Sequence, residues 1–165
     1  MPRRTDATVK QIVSRNPAGF LAMVGLPGGE VVVTDTDFSA VVSAAGDSLL
    51  LVDSPRSAFQ GDDVRRWVEL TDAEIAQLPA TVSWGLQVEL QAGYDASLPA
   101  RVRLYQQLAE GSVGRPIRSL VVLLSKRADG PRMTGRDVSS GVGSRWSFEY
   151  DVIRLWEWPV EAGLA

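Results

Sequence analysis

From Val82 to Leu90 every second residue is apolar: Val82, Trp84, Leu86, Val88 and Leu90. The residues between and around them, from Thr81 to Gln91, are small or polar. A period of two belongs to a strand with one face against a core. It sets Gln87, Glu89 and Gln91 on the opposite face, where a carboxylate and an amide two residues apart can reach the same ion or water. The rest of the chain reads as scaffold for that face.

Ahead of this strand, residues 6–15 have a helical stripe in Val9, Ile12 and Val13, and Asn16-Pro17 reads as cap and first turn of a second short helix. Gly25 and Pro27-Gly28-Gly29 end it, and valine-rich Glu30 to Thr34 is a strand. Val41-Val42 fits either strand or helix. Gly46-Asp47 is a turn signal, Ser48 to Val52 a short apolar strand, and Ser54-Pro55 its stop. Residues 56–63 are loop-like, Trp67 to Leu70 a further candidate strand, and Thr71-Asp72-Ala73-Glu74 a capping box for a helix that Pro79 stops.

After the focal strand, Leu98, Arg101, Val102, Tyr105 and Leu108 share one helical stripe, capped by Ser97 and ended by Gly111. Ile117 to Leu124 is almost continuously apolar, the pattern of a strand buried on both faces. Lys126 to Gly143 reads as a polar, Gly-rich connection. Trp146, Phe148, Tyr150 and Val152 alternate as a final strand running on toward Trp156 and Trp158. The order of helices and strands predicts one α/β domain over residues 1–165, with a mixed central sheet flanked by helices. The helix after the focal strand has the length of a crossover to residues 117–124.

Composition narrows the chemistry. The 165 residues include no cysteine and no histidine. Disulfides, thiol chemistry, Ser-His and Cys-His triads and the usual zinc ligands are therefore excluded. A metal would have to take oxygen ligands, which favours Mg²⁺, Mn²⁺ or Ca²⁺. Net charge is -3, not the overall footprint of a nucleic-acid binder, though a local basic groove is compatible with it. No apolar run is long enough to span a membrane and the N-terminus lacks a signal-peptide core, so a soluble, cytoplasmic protein without a membrane partner is expected.

The run from Leu86 to Pro99, followed by Arg101 and Tyr105, resembles the core of the recombination-promoting nuclease and transposase-like family. That family belongs to the PD-(D/E)XK phosphodiesterases, in a branch with Gln in place of the usual lysine. Ser119 to Leu124 resembles its next strand. Thr134-Gly135 and Phe148 to Glu157 resemble its last. Residues 11–26 and the turn at Asp47 match more loosely.

The resemblance implies a restriction-endonuclease-like fold and Mg²⁺- or Mn²⁺-dependent DNA cleavage, with no organic cofactor. Asp47 would be the first acid of the motif. Asp47 and Glu89, with the Leu90 carbonyl, would hold the metal, which would activate a water and stabilise charge on the phosphate. Gln91 would orient that water. If the strands after Asp47 and through Glu89 pair antiparallel, the two acids meet. Arg101 and Tyr105, one turn apart, would face the scissile phosphate. Residues 56–83 stand where the family pattern predicts a short hairpin. They carry their own capping box and read as a structured insertion, which leaves Asp53, Asp62 and Asp63 as alternative acids.

Each of these residues also has a plainer role. Glu89 and Gln91 fit simple solvation of a strand face, and Asp47 a turn. Arg101 fits a surface ion pair, and Tyr105 the core with its hydroxyl at the rim. Lys126, just past a buried strand, is a candidate for the charge missing at Gln91. The second functional reading is a catalytically inactive copy of the fold, self-associating or binding a protein partner through its tryptophan-rich end, where Trp156 and Trp158 would form an exposed patch.

Overall fold

The alternating stretch around Trp84 is the central strand of a five-stranded sheet. The computed structural model describes residues 3–34, 48–60, 69–139 and 141–158. In chain order the elements are α1 (Arg3–Arg15), α2 (Pro17–Met23), β1 (Glu30–Thr34), β2 (Ser48–Pro55), α3 (Asp72–Gln77) and β3 (Thr81–Gln91). There follow α4 (Leu98–Val113), β4 (Ile117–Leu123), β5 (Arg136–Ser139), β6 (Trp146–Glu149) and β7 (Asp151–Arg154). The sheet order is β1-β2-β3-β4-β7, and β5 and β6 form a separate ribbon. β1, β2 and β3 pair antiparallel, while β3, β4 and β7 are parallel. The protein is thus α/β with a mixed sheet and helices, as the order of patterns predicts.

The even residues of β3 meet one core. Trp84, Leu86, Val88 and Leu90 pack with Val13, Phe20, Leu21 and Val24 of the first two helices and with Leu50, Val52, Leu120 and Val122 of the neighbouring strands. Leu86 and Val88 are fully buried. Each such side chain contributes about 1.5–3 kcal/mol. On the other face, Leu98 and Val102 of α4 pack on Val121 and Leu123, and Ala109 on Leu49 and Ile117. α4 is the crossover that parallel pairing of β3 and β4 requires.

Local signals act as their chemistry dictates. The Asn16 side chain accepts a hydrogen bond from the Gly19 amide at 3.0 Å, with Pro17 opening α2. Thr71 and Glu74 form both halves of the capping box ahead of α3. Among the described residues, no helix is long and apolar enough to cross a membrane.

Five expectations are corrected. α4 continues through Gly111 and ends at Gly114, whose φ of 66° is the left-handed conformation that closes a helix. A glycine inside a helix costs only about 1 kcal/mol, so Gly111 does not stop it. β2 runs through Ser54-Pro55, because Ser54 is buried and accepts a hydrogen bond from Trp84 Nε1 at 2.9 Å. The stretch after Lys126 is not one polar connection: it holds a 3₁₀ turn and β5.

The alternating stretch from Trp146 is not one strand either. Tyr150 is buried, its amide donates to Gly135 O and its hydroxyl to Arg132 O, both at 2.9 Å. These bonds divert the chain, leaving β6 on the ribbon and β7 on the main sheet. Of residues 67–70, Glu69 and Leu70 form no strand, while positions 67 and 68 lie outside the described residues, as do Val41 and Val42.

Candidate functional site

Period two predicts that the odd residues of β3 meet solvent, but α4 lies over them. Gln87 and Glu89 are only 3% and 6% exposed. The reason is topological: a parallel crossover places its helix against the sheet face, whatever side chains that face carries. The result is a polar enclave between β3, β4 and α4.

A carboxylate this buried is costly without a partner. Arg101 supplies one: one nitrogen of its guanidinium lies 2.8 Å from Glu89 Oε1 and another 2.8 Å from Asp95 Oδ2. Asp95 is fixed in turn by the Ser97 hydroxyl and amide, which donate to its Oδ1 at 2.6 and 2.9 Å. Those two bonds, and then Arg101, hold the Asp95 carboxyl below its ordinary value. Burial works against the Arg101 charge, but the bonds to Glu89 and Asp95 outweigh it and raise its pKa.

Tyr105, one turn after Arg101, is 1% exposed. Burial raises its pKa, with Arg101 and Glu89 acting on it in opposite senses. The side chain belongs to the core, and the hydroxyl is inside it rather than at a rim. Deeper under α4, the Ser119 hydroxyl donates to Gln106 Oε1 at 2.7 Å and lies 3.1 Å from the Gln87 amide group. One hydroxyl hydrogen serves one acceptor. The Ser119 hydroxyl therefore serves one of the two amide oxygens at a time, and the Gln87 amide nitrogen is buried without a hydrogen-bond partner among the described residues.

Glu89, Arg101 and Tyr105 therefore lie together, while the Leu90 side chain joins the opposite core and the Gln91 amide is committed elsewhere. Gln91 is half-buried and its amide donates to Gly93 O, closing the turn after β3. Asp47 lies outside the described residues, and so do Asp62 and Asp63. Asp53 is distant from Glu89 along the ladder, pairing with Ser83 and contacting Arg115 at 3.3 Å. Lys126 is exposed in the 3₁₀ turn after β4.

Among the described residues, no three acidic side chains are grouped for a metal ion. The donors present are a carboxylate and a backbone carbonyl. These are hard oxygens of the type Mg²⁺ and Mn²⁺ take, and they fit part of such a site. Arg101 already neutralises the carboxylate.

Four members of the enclave carry no assignment from the sequence: Gln87, Asp95, Gln106 and Ser119. Ser119 has a legible signal, being a polar residue inside a strand patterned for burial on both faces, where it must find a hydrogen-bond partner. Gln87 shares the Glu89 face by period two. Asp95-x-Ser97 ahead of a helix is a local turn signal and does not reveal the reach to Arg101.

Trp156 and Trp158 do not form an exposed patch. Both are half-buried, Trp156 against the core under α4 and Trp158 against the core under α1 and α2. Compared with known proteins, the chain matches no family model, no curated protein and no solved structure.

Proposed function

We propose that the protein is a phosphodiester-cleaving, restriction-endonuclease-like domain acting on DNA. The observation that carries this reading is the register of β2 on β3. The pair is antiparallel with Ser48 opposite Val88, so the start of β2 adjoins the end of β3. Asp47 precedes Ser48 in the chain, and Glu89 follows Val88. In sequence an acid thus adjoins each member of the Ser48–Val88 pair, and two acids suit the oxygen-only ligand set that a chain without His or Cys must use.

Asp47, Glu89 and the Leu90 carbonyl would hold Mg²⁺ or Mn²⁺, which supplies a water of lowered pKa and charge to offset the phosphate. Arg101 would exchange its bond with Glu89 Oε1 for a phosphate oxygen, a geometry guanidinium groups favour. Gln91 would position the water after releasing its bond to Gly93 O. The first test is Mn²⁺ calorimetry on the wild type and Glu89→Ala. Binding that vanishes in the variant, followed by Mn²⁺-dependent DNA nicking, is the expected result. No binding to either protein removes the nuclease reading.

A second reading follows from the Arg101–Glu89 ion pair itself. If that pair is permanent, it occupies the carboxylate and the domain is an inactive copy that works by binding. The half-burial of Trp156 and Trp158 argues against these two as its docking surface. A protein that binds DNA but neither Mn²⁺ nor Mg²⁺ is the outcome this reading expects.

A further inference from the structure

The parallel strands β3 and β4 end side by side, and the loops that leave them are laced together. Ser125 Oγ donates to Ala92 O at 2.9 Å. The Tyr94 ring lies on Gly130, where an added Cβ would come within 2.3 Å of Tyr94 Cε2, so only glycine leaves room for the ring. Although held in this way, Tyr94 is 43% exposed.

The same β4 exit loop opens with Lys126 and Arg127, both exposed. Neither forms an ion pair among the described residues. Arg127 is three residues from Gly130, so chain length alone keeps their Cα atoms within about 11 Å. A supported aromatic face and two exposed cations without an ion pair among the described residues thus belong to the two laced loops that leave β3 and β4. The acids of the two loops are already engaged: Asp95 pairs with Arg101 and Asp129 with Arg154, both at 2.8 Å. Beyond residue 100 lie ten of the 17 basic residues and seven of the 20 acidic ones.

We infer that this pair of loops receives an unpaired nucleotide strand, with a base stacked on Tyr94 and the flanking phosphates held by Lys126 and Arg127. The inference rests on the phosphodiester reading of the neighbouring carboxylate. Stacking on an aromatic ring accepts any base, and a positively charged track follows the backbone. A duplex keeps its base faces covered and offers Tyr94 nothing to stack on, so the ring selects single strands or frayed ends.

The experiment is fluorescence anisotropy of a labelled oligothymidylate with the intact protein, in EDTA so that binding is separated from cleavage. The wild type is expected to bind the strand more tightly than the corresponding duplex. Tyr94→Ala should weaken strand binding roughly tenfold, and Tyr94→Phe should leave it unchanged. Gly130→Ala, which displaces the ring, should resemble Tyr94→Ala. The Lys126→Gln/Arg127→Gln double variant should flatten the log–log salt dependence by about 0.7 for each phosphate no longer neutralised.

Equal affinities for wild type and Tyr94→Ala, tighter binding of the duplex, or no binding at all each overturn the inference. Mn²⁺ binding at Glu89 together with an unaffected Tyr94→Ala defeats it and leaves the nuclease reading standing. Strand binding through Tyr94 by a protein that takes no Mn²⁺ does the reverse.

Discussion

Arg101 is the residue on which the enclave balances. It divides one guanidinium between Glu89 and Asp95, and Glu89 is the more deeply buried of the two. Arg101→Ala removes the cation that offsets the Glu89 charge under α4. The expected loss in urea unfolding is about 2 kcal/mol, less than for a fully enclosed pair because Arg101 itself is partly exposed. Adding Glu89→Gln should recover part of that loss, and strict additivity of the two changes would show that the pair is not coupled. Asp95 makes a pH signature. Its folded-state pKa is depressed by Ser97 and Arg101, so its contribution is complete above the ordinary value of 3.8 and is lost as pH falls through the lower, folded-state value. The wild type should therefore lose stability more steeply than Asp95→Asn below pH 3.8. A parallel acid limb in the two proteins would show that Asp95 is not depressed. The sequence marks Glu89 and Arg101 individually, one by strand period and the other by helical stripe. It does not mark their union, because that depends on which sheet face the crossover helix covers.

At the level of elements, the strands with one clear period are readable and the breaks in them are not. Glu30–Thr34 is a strand within its expected limits, and the crossover from β3 to β4 follows from pattern length alone. The stretch from Trp146 to Val152 has an unbroken period of two, yet it serves two sheets. Its division is imposed by Gly135 and Arg132, which bind Tyr150 from another part of the chain, and no local rule reports them. The end of α4 is a case where two glycines compete. Gly114→Ala forces a side chain into the left-handed region and should cost about 1 kcal/mol in thermal or urea unfolding. Gly111→Ala, inside the helix, should instead stabilise by a similar amount. Two changes of the same sign would mean that the helix does not stop at Gly114.

For the whole molecule, the acidic average conceals a division of charge that bears on what can approach it. The first hundred residues hold most of the acids and the remainder most of the bases. β3 ends in the acidic part of the sequence and β4 in the basic part, and the formal net charge averages over both. The segment between β2 and β3 shows a different kind of independence. Pro55 pairs with Thr81, and the Arg56 amide donates to Ala80 O at 2.9 Å, so the chain leaves the sheet and rejoins it at adjacent points. Within the segment, Phe59 and Ile75 reach back into the main core, but the β2–β3 ladder closes before either is met. Lengthening such a loop is cheap, about 0.6 kcal/mol for each doubling. This junction is therefore a port: residues inserted between Arg56 and Ala80 that leave Phe59 and Ile75 in the core are expected to leave the strand ends near Glu89 in register.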